Sequence, residues 1–183
     1  MKIGRRMQLQ GRVGVAAVGA VCAIIALGAI TYARARANAP IKSGVQGAIV
    51  TEHASGTFDV KLAPVGEADK GDGSTLGTYS LDKQYHGDLE ASAKGTMLTA
   101  GTEVKGSAGY VAVERVTGAL KGHKGSFVLQ HNGTLTRGAP QQNIVVVPDS
   151  GTGQLTGLTG KLTVIIESGS HSYEFDYSLP PSQ

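Results

Sequence analysis

Hydrophobic and polar residues alternate along most of the chain after residue 55. In the segment "GTFDVKLAP", residues 56–64, Phe58, Val60 and Leu62 fall on one side of an extended chain, and polar residues separate them. Successive side chains of a β-strand point to opposite faces, so this pattern predicts a strand with one buried face. No long stretch has the three- and four-residue apolar spacing of an amphipathic helix. The alternation therefore predicts an all-β fold.

Eight segments of the chain have this strand-like character. They are residues 56–64, 78–87, 88–101, 105–120, 125–136, 141–150, 160–169 and 171–180. Short turns rich in Gly, Asp and Ser separate them, as in an antiparallel meander. Closing such a meander into a barrel removes both exposed sheet edges. The predicted fold is a single antiparallel eight-stranded barrel, with an open sandwich as the alternative.

Glycine-rich positions are predicted to interrupt the regular strands. Gly106, Gly109 and Gly133 suit bends or bulges in a curved sheet. The segment Ser150–Lys161, "SGTGQLTGLTGK", suits a compact turn or a single helical turn. Its "GTGQLTG" imitates a dinucleotide-binding loop, but no amphipathic helix follows, so we interpret it as a turn and predict no cofactor.

The first 39 residues differ from the rest of the chain. Val13–Ile30 contains eighteen residues without a charge and follows a basic segment. It is longer than the roughly 7–15 apolar residues of a signal peptide and slightly shorter than the roughly 20 of a membrane span. Both a cleaved signal peptide and a retained N-terminal anchor are therefore predicted as alternatives. The basic excess before this segment predicts that the body of the protein crosses the membrane.

The leader divides the chain into three predicted parts. Residues 1–39 are the signal peptide or anchor, residues 40–55 a linker, and residues 56–180 the barrel domain. The predicted location is periplasmic or extracellular, or anchored to the cytoplasmic membrane by residues 13–30. Membrane contact is expected only through that segment, if it is retained.

The charge of the chain changes sign once the leader is set aside. The sequence has 17 Lys and Arg and 14 Asp and Glu, but six of the basic residues lie in the leader, which leaves a body of formal charge −3. That body has no basic run and no Trp, so nucleic-acid binding is not predicted. The one cysteine, Cys22, also lies in the leader. The exported body therefore has no disulfide, thiol nucleophile or thiolate metal site.

The basic segment "LKGHKGS", residues 120–126, lies between two strand-like runs. Gly122 and Gly125 permit the positive φ values of a tight hairpin turn. A phosphate-binding P-loop has a different glycine spacing and opens a helix, whereas a strand follows here. We therefore predict a solvated turn.

Glu114 and His131, on the strands that flank this turn, form a candidate acid–base pair. A tight turn with an even number of residues places them on the same face, whereas a one-residue slip pairs Glu114 with Gln130. Partial burial would raise the pKa of the carboxyl group, and the imidazole titrates near neutrality. A surface ion pair or a structural hydrogen bond is the alternative interpretation.

Aromatic residues and the remaining histidines supply further candidates. In the segment "SYEFDYSL", Tyr173, Phe175 and Tyr177 alternate with acidic residues, which predicts a stripe that faces the core or lines a ligand cavity. The five histidines lack the close spacing of a zinc site, so no metal is predicted.

Four ordered motifs carry a resemblance to a known family. They are "HGDLE" (86–90), "ERVTGAL" (114–120), "GSFVLQHNG" (125–133) and "VVPDSGTGQLTGLTG" (146–160). In this order and spacing they resemble a bacterial domain-of-unknown-function family, DUF3224. The resemblance implies a small antiparallel barrel similar to that of allene oxide cyclase, and no established activity. The export leader and the segment "APQQNIVVVP", which has no Trp, depart from the usual pattern of that family.

Three functions are consistent with these observations. The first is an exported barrel that binds a small apolar or amphipathic molecule in its lumen. Its candidate ligand-binding residues are Tyr110, Glu114, Gln130, His131 and Tyr173. The second is an enzyme of cyclase or isomerase type, by analogy of fold, with Glu114 and His131 as candidate catalytic residues. The third is a structural or interaction module of the cell envelope with a filled barrel. The oligomeric state is not predicted.

Overall fold

The computed structural model describes residues 50–181, which are almost entirely β-strand. The strands are β1 (Glu52–Pro64), β2 (Asp69–Gly71), β3 (Ser74–Gly87), β4 (Leu89–Thr102), β5 (Ala108–Leu120), β6 (His123–Thr136), β7 (Ala139–Val146), β8 (Thr159–Glu167) and β9 (Ser170–Ser178). The predicted signal peptide or anchor lies outside the described residues. No helix within residues 50–181 is long and apolar enough to cross a membrane.

Eight long antiparallel strands form a closed ring. β1 pairs with β9 on one side and with β3 on the other, and each remaining long strand pairs with its neighbours in the chain. This confirms the eight-stranded barrel over the open sandwich. The ninth strand, β2, adds only three residues beside the start of β3, and so short a segment shows no alternation that could predict it.

The first strand begins at Glu52, inside the stretch interpreted from sequence as a linker. Residues 52–57 pair with β9 and thereby close the barrel. Among the residues on the inward face of this stretch, Ala54 is the fully buried one. Because its side chain is a single methyl group, this part of the strand has no strong apolar signal in the sequence.

The inward faces of the strands pack into an aromatic core. Tyr173, Phe175 and Tyr177 are all buried, which confirms the core-facing stripe of the last strand. Phe175 stacks on Phe127 with ring centroids 5.9 Å apart. The connection between β7 and β8 forms one 3₁₀ turn, Gly153–Leu155, as predicted for this segment. Buried Leu155 and Leu158 extend the core there.

The basic tip is a two-residue hairpin turn, as predicted. Leu120 pairs with His123, and the intervening Lys121 and Gly122 have φ values of 45° and 86°. Both residues have positive φ, as a type I′ turn requires. Gly125 serves a different purpose from the predicted one, because a side chain there would collide with the carbonyl oxygen of Thr152.

Bends or bulges were predicted at Gly109 and Gly133, and the structure has no bulge at either position. The pairing of β5 with β6 runs without a break through both positions. Gly133 instead makes room for an aromatic ring, since a Cβ atom there would overlap the ring of Tyr110 on the neighbouring strand. Gly106 lies in the loop before β5 and has a φ of 77°.

The ring is joined least extensively between β7 and β8. Only two residue pairs form there, Ile144 with Leu162 and Val145 with Lys161. The carboxamide of Gln142 continues the connection: its Nε2 donates to the carbonyl oxygen of Val164 at 2.6 Å, and its Oε1 accepts from the Val164 N–H at 3.2 Å. A side chain thus takes the place of a strand backbone at this seam.

Candidate functional site

The register of the β5–β6 hairpin brings Glu114 and His131 together inside the barrel. Glu114 lies opposite Leu129 and His131 opposite Ala112, so both side chains face inward. Nε2 of His131 is 3.0 Å from Oε1 of Glu114. This is the same-face arrangement predicted for a tight even-membered turn. Gln130, the partner in the slipped alternative, is exposed on the outer face.

Lys83 and Tyr85 on β3 complete a charged cluster around Glu114. The ammonium of Lys83 and the hydroxyl of Tyr85 each donate to Oε1 of Glu114 at 2.9 Å. All four members are buried; Lys83 is 6% exposed and Glu114 is fully enclosed. We refer to Lys83, Tyr85, Glu114 and His131 as the charged cluster.

Lys83 was missed at the level of sequence, although a signal was present. In "SLDKQYHG", residues 80–87, the lysine stands between Leu81 and Tyr85 at the spacing of the inward face. A basic residue at an apolar position of an alternating strand is an indication of a buried charge, because buried lysines are almost always paired.

Three donors converge on one oxygen of Glu114, and the other oxygen has none. Oε2 is buried and is the one buried side-chain oxygen or nitrogen in residues 50–181 without a hydrogen-bond partner. An unsatisfied buried polar atom costs about 1–3 kcal/mol, and more when it is charged. Such an atom in an otherwise satisfied interior is a candidate position for a ligand or an internal water.

The charged cluster keeps Glu114 ionised. Burial raises the pKa of Glu114, as predicted, but the hydrogen bond from His131 and the positive charge of Lys83 outweigh it, so the pKa lies below its ordinary value. The predicted direction of the overall shift was therefore wrong. A carboxylate held in this state is a fixed hydrogen-bond acceptor rather than a proton donor.

Aromatic rings surround the ammonium of Lys83. The nitrogen lies 5.0 Å from the centre of the Phe58 ring and 5.5 Å from that of Tyr85. Ring faces carry partial negative charge and stabilise a nearby cation. Burial, and then the negative charge of Glu114, raises the pKa of Tyr85 well above its ordinary value, so its hydroxyl stays protonated and can donate.

Exposure along the inward faces increases toward one end of the barrel. At the level of the charged cluster the inward side chains are buried, but farther along the same strands Tyr79, Met97 and Tyr110 are only partly buried. Leu62, inward-facing by its pairing with Leu81, is 48% exposed. This end, where β3, β5 and β7 begin and β4 and β6 end, is therefore open, and we call it the mouth.

Tyr110 connects the mouth to the charged cluster. It lies on the same face of β5 as Glu114, with Ala112 between them. Burial and then the negative charge of Glu114 raise the pKa of Tyr110, so the hydroxyl is within electrostatic reach of that carboxylate.

A concavity of about 1040 Å³ lies at the mouth end of β3–β7. Thr99, Tyr110 and Gln142 line it from the inward face. Leu98 and Val111 also line it, and because they alternate to the outer face and are half-exposed, the concavity is not confined to the lumen. Its lining combines apolar surface with a few polar groups, as small-molecule sites do.

Tyr173 lies away from the mouth. It pairs with Gly56, near the turn that joins β3 to β4. The backbone N–H of Leu89 donates to its hydroxyl at 2.8 Å, and the hydroxyl donates to the carbonyl oxygen of His86 at 3.4 Å. Of the five candidate ligand-binding residues, the structure thus brings Tyr110, Glu114 and His131 toward one another and places Gln130 and Tyr173 elsewhere.

A second imidazole–carboxylate cluster lies on the outer surface and joins β1 to β9. Nδ1 of His53 is 2.8 Å from Oδ1 of Asp176, and Nε2 contacts Glu174. The hydrogen bond with Asp176 raises the pKa of His53 above its ordinary value of 6.5; burial opposes this shift, and Glu174 adds to it.

We expect Asp176→Asn to lower the pKa of His53, measured by NMR titration of the imidazole signals. A group whose pKa is higher in the folded than in the unfolded protein stabilises the fold. This stabilisation is complete at pH values below the unfolded pKa and is lost as the pH rises through the folded pKa. The stability difference between wild type and Asp176→Asn in urea unfolding should therefore be larger at pH 5.5 than at pH 8.5. Asp59→Asn, beside His86, is the control; an equal pKa change at His53 in that variant would contradict the assignment.

These observations define the class of protein: a closed eight-stranded antiparallel barrel with a charged cluster in its lumen. Residues 54–177 match the family described as "Protein of unknown function (DUF3224)", and the chain belongs to this family. The chain is also similar to a DUF3224-family protein of unknown function from Shewanella oneidensis MR-1, known from its crystal structure. The two are 49% identical with a TM-score of 0.69, over 73% of this chain and all of the other. No curated protein matches the chain.

Proposed function

We propose that this barrel binds a small amphipathic molecule at its mouth. The observation that carries the proposal is the open mouth, where the partly buried Met97 and the half-exposed Leu62 provide apolar contact and Tyr110 provides a polar group inside the barrel. The concavity of about 1040 Å³ lies at the same end. Ligand sites in proteins combine these two kinds of surface in concavities of roughly 300–1,000 Å³. The aromatic core beyond the charged cluster leaves the mouth as the accessible part of the lumen.

The test uses the full chain purified from its own host. Native mass spectrometry should detect a small molecule that copurifies with the protein. In parallel, the neutral fluorescent probe N-phenyl-1-naphthylamine should bind with an affinity that falls about tenfold in Thr99→Trp, because the indole would occupy space at the mouth. Thr96→Trp, on the exposed face of the same strand, is the matched control. Absence of both a copurifying molecule and probe binding would overturn the proposal.

The barrel is packed with side chains at the end opposite the mouth. This packing favours a second candidate function, an interaction module that acts through its outer surface. Tyr85, Phe127 and Leu129 fill the lumen there and are almost fully buried. In the enzyme alternative, the ionised Glu114 would act as a proton acceptor and not as a proton donor.

We also propose that the barrel is exported, on the basis of the apolar segment 13–30 and its basic flank. The full chain, expressed in a bacterial host, should appear in the periplasmic, membrane or extracellular fraction. A variant that lacks residues 2–39 should remain in the cytosol. A full-length protein found wholly in the cytosol would contradict export.

A further inference from the structure

The free oxygen of Glu114 defines the chemistry of the molecule that binds. Lys83, Tyr85 and His131 all donate to Oε1, whereas Oε2 is buried without a donor. Since every other buried side-chain polar atom in the described range has a partner, Oε2 is a specific acceptor position rather than part of a loosely packed polar interior. A carboxylate oxygen forms stronger hydrogen bonds than a neutral acceptor.

The charge of the cluster selects a neutral donor. Glu114 and Lys83 are oppositely charged and 2.9 Å apart, so they compensate each other. An anionic ligand would bring a second negative charge beside the carboxylate, and a cationic ligand would approach the ammonium of Lys83. Both would add an uncompensated charge to a buried site, which is costly. A hydroxyl group supplies the missing donor without adding charge.

The residues between the mouth and Glu114 are small or adaptable. Along β5 only Ala112 separates Tyr110 from Glu114. On the paired strand β4, Gly95 lies opposite Glu114 and Met97 opposite Ala112. Met97 is partly buried, and the unbranched methionine side chain changes rotamer readily. A polar group at the end of an apolar molecule that approaches Glu114 from the mouth therefore passes residues that are small or can move aside.

We propose that the molecule bound at the mouth carries a hydroxyl group that donates a hydrogen bond to Oε2 of Glu114. This inference rests on the proposed binding function and specifies its ligand class: a neutral, apolar alcohol rather than a fatty acid, an amine or a ketone.

The test compares two probes of the same length and shape, decan-2-ol and decan-2-one, as competitors of N-phenyl-1-naphthylamine on the full chain. The alcohol should bind at least about tenfold more tightly, because a hydrogen bond to a charged acceptor contributes roughly that factor or more. Decanoate, an anion at neutral pH, should bind more weakly than the alcohol. Equal affinity of the alcohol and the ketone would overturn the inference and leave the binding function intact. The same result is expected if Oε2 only holds an internal water. Failure of the fluorescent probe to bind together with the absence of a copurifying molecule would instead overturn the binding function, and the inference with it. If only the probe fails, a copurifying molecule without a hydroxyl group would overturn the inference.

Two variants test the position of the hydroxyl group. Glu114→Gln presents an amide N–H₂ group in place of Oε2 and should shift the preference toward the ketone. Ala112→Leu should block the route to Glu114, so that the probe still binds but the preference for the alcohol is lost. Thr96→Leu, on the outer face of β4, should retain the wild-type preference. If Glu114→Gln does not fold, the comparison of alcohol and ketone on the wild type and on Ala112→Leu still tests the inference. Retention of the preference for the alcohol in Ala112→Leu would contradict the proposed route.

Discussion

Replacing Lys83 with methionine is expected to destabilise the barrel by about 3–5 kcal/mol at neutral pH, the usual cost of removing one partner from a buried ion pair. The substitution keeps the length and apolar stem of the side chain but removes the ammonium that lies 2.9 Å from Glu114. The carboxylate then stays buried with only His131 and Tyr85 as donors. Urea unfolding of the full chain measures the loss.

The pH dependence of this loss identifies its cause. Lys83 helps to hold the pKa of Glu114 below its ordinary value. The resulting stabilisation of the wild type is present at pH values above the unfolded pKa of Glu114, and it is lost as the pH falls through the folded pKa. Without Lys83 the folded pKa of Glu114 rises, and the difference in unfolding free energy between the variant and wild type should shrink from pH 7 toward pH 4.

Two further variants serve as controls for Lys83→Met. Lys94→Met removes an exposed ion pair, in which Nζ is 3.9 Å from Asp82, and should cost no more than about 0.5 kcal/mol. The double variant Lys83→Met with Glu114→Gln removes both charges and should recover most of the loss. A loss in Lys83→Met no larger than in Lys94→Met would contradict the buried pair.

Gly95→Ala is expected to destabilise the barrel by about 1–3 kcal/mol, the usual cost of an overpacked core, and to displace Glu114. A Cβ atom at position 95 would collide with the carbonyl oxygen of Val113 and lie 2.7 Å from the Cα of Glu114. Both atoms belong to the backbone of the paired strand, so relief requires that β4 and β5 move apart. Chemical unfolding measures the stability, and the preference for decan-2-ol over decan-2-one in competition with the probe reports on Glu114.

Gly101→Ala is the matched control on the same strand. The nearest atom to a Cβ there is the carbonyl oxygen of Thr75, at 3.9 Å, which is an ordinary contact. Alanine also reduces the freedom of the unfolded chain, so the variant should be as stable as wild type or slightly more stable. A similar loss of stability in both variants would show that the effect of Gly95→Ala comes from strand propensity and not from the space that Glu114 requires.

The sequence predicted the strands well because alternation is a local property. The inward positions of β5 and β6 followed from it, and a two-residue turn at Lys121 and Gly122 then determined that Glu114 and His131 share a face. Lys83 could not be paired with Glu114 in this way. It lies on β3, which is separated from β5 by β4, so the contact depends on the curvature of the closed barrel rather than on the register of adjacent strands.

The pKa of Glu114 shows a second limit of sequence-based prediction. Burial of a carboxyl group can be anticipated from its position in a strand, and burial alone raises the pKa. The observed direction depends on how many donors reach the carboxylate, and two of the three, Lys83 and Tyr85, come from a strand that is distant in sequence. Only the folded arrangement gives that number.

The seam between β7 and β8 has a consequence for how copies of this chain could combine. If the amide of Gln142 released Val164, the ring would have only two residue pairs left to hold it shut at that point. Complete opening would give a curled sheet with β7 at one edge and β8 at the other. The β7 edge of one opened copy matches the β8 edge of another, so two chains could pair edge to edge at both seams without forming any type of contact that the monomer lacks.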